Sequence, residues 1–214
     1  MRQRRRLPID QLAPNLFPDV PRGTVGPPID WAVLFGNDHP VEVEVGFGKG
    51  LFLLNAGAAR PDVNFFGVEI LRKYQLLTAT RLAEHKLNNV KVACADARAL
   101  LRDRVAAGSV QAVHVFFPDP WWKSRHHKRR LFTPEFATAV GHILQAGGRF
   151  HLVTDVAEYF DVMRVIVEAM PLFEESTPPA EHEPQHDLDY LTNFERKFRK
   201  EGRPIYRAMY LRGK

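Results

Sequence analysis

Glu44, Gly46, Gly48 and Gly50 stand at alternate positions in Glu44-Val45-Gly46-Phe47-Gly48-Lys49-Gly50. Glycines at this density let a backbone take positive φ and approach a ligand closely. Leu51 stands where a dinucleotide fingerprint needs Gly or Ala, and the Gly-Lys-Ser/Thr of a phosphate-binding loop is absent. Two further acids follow apolar runs. Glu69, 23 positions after Gly46, is spaced to accept hydrogen bonds from both hydroxyls of a ribose. Asp96 is placed to meet an adenine amino group, with Ala97 leaving space for the ring. Asp119 is held between Pro118 and Pro120, so its carboxylate is rigid, and Trp121 or Trp122 beside it can stack on an unstacked base. Lys123-Ser124-Arg125-His126-His127-Lys128-Arg129-Arg130 then offers cations to phosphates. Adjacent histidines point apart and no further ligand cluster accompanies them, so no metal site is expected. Together these residues describe a nucleoside site beside a place for a nucleic-acid base.

The elements that must position them are strands alternating with helices. Strands are expected at 41–45, 63–70, 90–95, 110–117 and 149–154, and helices at 51–59, 72–85, 133–145 and 157–170. Thr133 and Pro134 suit a helix cap and first turn, and Gly147-Gly148 suits a helix end. This alternation predicts an α/β, Rossmann-like fold: a mostly parallel sheet with helices on both faces. Residues 174–190 read as an acidic loop, and 204–211 as an antiparallel edge strand. Residues 1–30, with six prolines and no periodicity, are expected to form a basic, Pro-rich arm ahead of a domain spanning 31–214. In such a sheet Glu44, Glu69 and Asp96 converge on one crevice at the carboxyl ends of the strands.

The charge is segregated. The 214 residues carry 30 Lys plus Arg against 25 Asp plus Glu. Three segments, 1–6, 121–131 and 195–214, hold so many of the basic residues that the rest of the chain keeps 13 basic against 23 acidic ones. Local basic clusters on an acidic body point to a polyanion-binding face. Cys94 is the sole cysteine, which excludes an intramolecular disulfide and fits a reducing compartment. No run reaches the roughly 18 apolar residues of a membrane span, and the start has no secretory pattern. A cytoplasmic protein is expected.

The Glu-x-Gly-x-Gly-x-Gly turn resembles that of methyltransferases that hold S-adenosylmethionine. The run Pro118-Asp119-Pro120-Trp121-x-Lys123-x-Arg125-His126-x-Lys128-Arg129-Arg130 resembles, far more specifically, the signature of the tRNA (guanine-N7)-methyltransferase family. The similarity extends from about Val41 to the C-terminus, with Thr154-Asp155 and Thr192-x-Phe194-Glu195, and no key position departs from the pattern. It implies a class I methyltransferase fold, S-adenosylmethionine as cofactor and the variable-loop guanine of tRNA as substrate. By the same resemblance Glu44, Gly46, Gly48, Gly50, Glu69, Asp96, Ala97 and Asp119 line the cofactor site, with Asp119 also catalytic. Lys123, Asp155, Thr192, Asn193, Phe194 and Glu195 meet the substrate. Arg125, His126, His127, Lys128, Arg129 and Arg130 bind the RNA.

Three rival readings are set against it. A methyltransferase for a small molecule leaves the basic clusters without purpose. An RNA-binding or assembly factor with a vestigial cofactor fold has no need of Glu44, Glu69 and Asp96. A nicotinamide oxidoreductase is disfavoured by Leu51.

Overall fold

The structure, a computed structural model, describes residues 7–18, 26–121, 130–178 and 190–214. Seven strands form one sheet: β1 (Val41–Val45), β2 (Asn64–Glu69), β3 (Val90–Cys94), β4 (Val110–Phe116), β5 (Leu144–Thr154), β6 (Phe173–Ser176) and β7 (Tyr206–Arg212). Their order is β3-β2-β1-β4-β5-β7-β6. The first five are parallel, and β7 runs antiparallel between β5 and β6. The expected antiparallel strand is therefore present but internal, because β6, all but its first residue inside the stretch expected as a loop, takes the edge.

Helices cover both faces. On one, α5 (Ala97–Arg104), α6 (Pro134–Ile143) and α7 (Ala157–Glu168) pack Leu100, Phe136, Val140 and Met163 over Val43, Val113 and Phe150. On the other, α3 (Leu51–Ala59), α4 (Arg72–Glu84) and α8 (Asn193–Lys200) bring Phe52, Leu53, Leu82 and Phe198 over Phe65, Phe116 and Val153. The cap of α6 is the expected one, with Thr133 Oγ1 accepting from Phe136 N at 3.2 Å. Its end is not. The chain is already extended at Leu144, and Gly147 (φ +73°) lies in β5. The two glycines serve the strand: β5 bulges between Leu144 and Arg149 opposite Val110 and Ala112, and a Cβ on Gly148 would sit 2.8 Å from the Gln145 carbonyl.

Much of the segment read as an arm lies on the domain. The short α1 (Ile9–Leu12) is followed by a 3-10 turn, and Leu12 and Phe17 are buried. Phe17 N donates to Val92 O at 3.0 Å on the outer side of β3. Asn15, 2% exposed, donates to the carbonyls of Leu87 (2.7 Å) and Val90 (2.9 Å). Asn15→Ala strands these acceptors, and we expect a loss of about 1–3 kcal/mol in chemical denaturation; unchanged stability would mean the segment is not docked in solution. A second short helix, α2 (Trp31–Phe35), is capped by Asp30, whose Oδ1 accepts from Val33 N at 3.0 Å.

Every residue of β1 is buried, its two glutamates included. A strand inside a parallel sheet has no solvent face, so these carboxylates need partners. Glu42 Oε1 accepts from Arg60 Nη1 (2.8 Å) and Arg149 Nη2 (2.7 Å). Its Oε2 accepts from Arg60 Nη2 (2.9 Å) and from His114 Nε2 (3.0 Å). Burial alone would raise this carboxyl; the bonds and charges of His114 and Arg60 outweigh it and hold the pKa at about 2. His151, beside His114 with ring centroids 5.9 Å apart, is pushed down to about 3, first by burial and then by His114, Arg207 and Arg149.

Candidate active site at the switch point of the sheet

The chain turns in opposite directions after β1 and β4, so a crevice opens between their carboxyl ends, where ligands of open α/β sheets bind. The glycine turn forms one wall. Gly46, Gly48 and Gly50 all have positive φ (+79°, +51° and +67°). A Cβ on Gly46 would meet nothing within 4 Å, so the turn is open there to a ligand. Gly50 serves packing instead: a Cβ there would lie 2.3 Å from Thr78 Cγ2, so its absence lets α3 start against α4.

Glu69 closes the turn from the next strand. Its Oε2 accepts from Gly48 N (3.1 Å) and its Oε1 from Leu71 N (3.0 Å). Each oxygen keeps a lone pair for a hydroxyl donor. Glu44 lies close enough for the two charges to interact, is 3% exposed, and its Oε2 has no hydrogen-bond partner among the described residues. Burial, then the Glu69 charge, raises its pKa to about 8.

Asp96 caps α5, its Oδ1 accepting from Arg98 N at 3.0 Å. It also pairs with the Arg98 side chain, Nη2 donating to Oδ2 at 2.8 Å, which holds the carboxyl below its usual range. Ala97 is buried at the start of that helix.

Asp119 is exposed, on a turn that leaves β4 across the crevice. The turn is bracketed by two non-glycine residues with positive φ, Phe117 (+51°) and Trp121 (+45°). Phe194 lies beside it, 48% exposed, 3.8 Å from the place of a Gly48 Cβ and 6.2 Å between centroids from Phe117. An aromatic face thus stands between the glycine turn and the Asp119 turn.

The other acids expected near the substrate already have partners. Asp155, following β5, pairs with Arg203. Glu195, 4% exposed, accepts from Leu191 N (2.7 Å), Arg199 Nε (3.0 Å) and Arg207 Nη2 (2.5 Å). Thr192 Oγ1 accepts from Glu195 N at 3.0 Å, so Thr192-x-x-Glu195 is also a helix-capping device that starts α8. Asn193 is the first residue of that helix, its Oδ1 facing Arg196 Nη2 at 3.4 Å. The capping spacing is readable in the sequence; Arg98, Arg203 and Arg207 have no such signal, being ordinary basic positions until folding sets them on carboxylates.

Lys123, Arg125, His126, His127, Lys128 and Arg129 lie outside the described residues, as does Trp122. Arg130 is described: Nε donates to Pro120 O at 2.8 Å. Among the described residues no cluster of three His, Cys, Asp or Glu could hold a metal ion, and no helix is long and apolar enough to cross a membrane.

Sheet order, glycine turn and strand-end carboxylates define a Rossmann-like, class I methyltransferase fold. A solved structure of the 16S rRNA methyltransferase KamB is similar over 90% of this chain and 97% of that one, with TM-score 0.61 and 15% identity. A 16S rRNA adenine methyltransferase from Catenulisporales acidiphilia, solved with its cosubstrate SAM, matches over 87% and 92% with TM-score 0.61 and 14% identity. Residues 38–208 match the family described as "Putative methyltransferase". The tRNA (guanine-N(7)-)-methyltransferase of Rhodopirellula baltica is 44% identical over 188 residues, 85% of this chain and 69% of that protein. That of Aliivibrio salmonicida is 35% identical over 86% of this chain and 77% of its own length. The chain belongs to the tRNA (guanine-N7)-methyltransferase family.

Proposed function

We propose that this protein transfers the methyl group of S-adenosylmethionine to N7 of a variable-loop guanine in tRNA. The observation that carries the reading is its 44% identity over 188 residues to a protein of that name, and the crevice lined by the glycine turn and the strand-end carboxylates supports it. Three features fit the cofactor: open space over Gly46, the remaining lone pairs of Glu69, and the Glu44 Oε2, unpartnered among the described residues, which a cationic ligand would complete. When bound, S-adenosylmethionine supplies an electrophilic sulfonium methyl. Glu69 would receive the ribose hydroxyls, and Asp96 the adenine amino group beside or in place of Arg98.

Guanine N7 carries an in-plane lone pair and no proton, so the protein needs no general base there. Its task is to hold the base in line. Asp119 is the exposed acceptor for guanine N1–H and the 2-amino group, donors that adenine does not present together. Asp155 would take part by exchanging Arg203 for the base, whereas Glu195, tied to Arg199 and Arg207, holds α8 and with it Phe194. Methyl transfer from labelled cofactor to unmodified tRNA, followed by cleavage specific for 7-methylguanine, tests the proposal. Label at one variable-loop guanine supports it; label on free nucleobases alone, or none on any RNA, overturns it.

Glu44 gives the cofactor a pH signature. Its folded pKa of about 8 lies above the usual 4.5, so its neutral form favours the folded ligand-free protein below pH 4.5, and that contribution is lost as pH rises through 8. A bound cation reverses the preference and expels the proton. Calorimetry at pH 7 in buffers of different ionisation enthalpy should register release of about one proton, with affinity rising by up to about tenfold per unit from pH 6 to 7.5. Glu44→Gln should remove the release; its persistence would assign the proton elsewhere.

A further inference from the structure

We propose that Arg130, the last residue of the basic run, is a positioning residue for the Asp119 turn and not a phosphate anchor. The inference rests on the function proposed above, because methyl transfer is one of its readouts. The turn needs holding: left-handed conformations at Phe117 and Trp121 each cost about 1–3 kcal/mol and persist only where the surroundings enforce them. At its start the turn is fixed, since Phe117 N donates to Val153 O at 2.7 Å and the Phe117 ring packs on Phe198, 5.5 Å between centroids.

At its end the turn is held from ten positions along the chain. Arg130 Nε donates to the carbonyl of Pro120, the residue between Asp119 and Trp121. The guanidinium stands 5.5 Å above the centroid of Tyr159, which is 1% exposed on α7. The chain beyond Arg130 is anchored too: Phe132, 2% exposed, stacks on Phe150 at 5.8 Å with the rings 5° from parallel. Burial raises the Tyr159 phenol, which also feels the charges of Arg130 and Asp119, so the three groups share one neighbourhood. A bidentate grip on a phosphate through the Nε edge uses a donor that is here spent on Pro120.

Lysine separates the two roles. It keeps the charge that a phosphate needs but lacks the planar fork and its Nε–H. For Arg130→Lys and Arg130→Ala alike we expect kcat with tRNA to fall about 10- to 100-fold, the scale of a misplaced reacting group. The salt dependence of tRNA binding, measured without cofactor, should stay as in the wild type. A phosphate anchor gives the opposite result: Arg130→Ala flattens the salt slope by about 0.7–0.9 and Arg130→Lys restores both binding and kcat. If Arg130→Ala does not fold, the lysine variant decides alone. Acrylamide quenching of Trp121, in a Trp31→Phe, Trp122→Phe background, should rise in Arg130→Lys; unchanged quenching would overturn the proposal. This readout needs no activity, so a wild type that fails to methylate tRNA would refute the function proposed above and leave the clamp still decided by fluorescence.

Discussion

Asp119→Ala should lower kcat for tRNA methylation by about 10²- to 10³-fold while the protein stays folded and binds cofactor less than about tenfold more weakly. The reason is geometric. Asp119 is an exposed carboxylate carried by a turn that the fold braces on both sides, through Val153 O and through Arg130. Removing the side chain leaves the turn and the glycine wall in place, so the loss should fall on orientation of the base. Asp119→Asn should recover little, since an amide offers a donor where guanine also brings donors. With both substrates saturating, kcat should be flat across neutral pH, because N7 has no proton to lose. A rate that falls with the titration of a group near pH 7 would assign a base to the reaction and overturn this account.

Glu42→Gln should be strongly destabilising although it lies outside the site. The carboxylate is 0% exposed and receives two arginines and a histidine. Breaking such a cluster from its acidic side costs about 3–5 kcal/mol, because the cations are left facing a neutral amide. For a chain of this length that is a fall of about 10 °C in Tm. The pH dependence follows from the carboxyl's own pKa. Held at about 2 when folded against an ordinary 4.5, it contributes stability that is complete above pH 4.5 and lost as pH falls toward 2. Melts of wild type and variant should therefore draw together as pH falls from 4.5 toward 2. A gap that stays constant over that range would mean Glu42 stabilises through shape alone.

Glu42 also shows where the sequence stopped being legible. Val-Glu-Val-Glu-Val reads as a strand, and it is one, with the expected ends. Alternation ordinarily signals one wet face, yet both faces here are covered, and the partners stand 18, 72 and 107 positions away. Pairings at such separations leave no local trace. The glycine turn and the acids after each strand were readable because strand–turn–helix units carry their ligand groups at fixed local positions. No helix is expected from the sequence at Ala97–Arg104; its cap, Asp96, stands out there only as an adenine contact. The resemblance implies Thr192 and Glu195 as substrate contacts, and the fold uses both to begin α8. Glu174 and Glu175 made β6 look like loop because acidic side chains are poor strand formers. An outer strand tolerates them, and charge there discourages pairing with other chains.

The place of β6 bears on how the protein is made. Among the described residues β6 pairs only with β7, which begins 30 positions after Ser176. During synthesis β6 is polymerised seconds before this neighbour in the sheet, at roughly 5–20 residues per second. Until then the outer side of β5 is equally bare. The nascent protein therefore carries two unpaired strand edges at once, and the arrival of Tyr206–Arg212 between them removes both in one event.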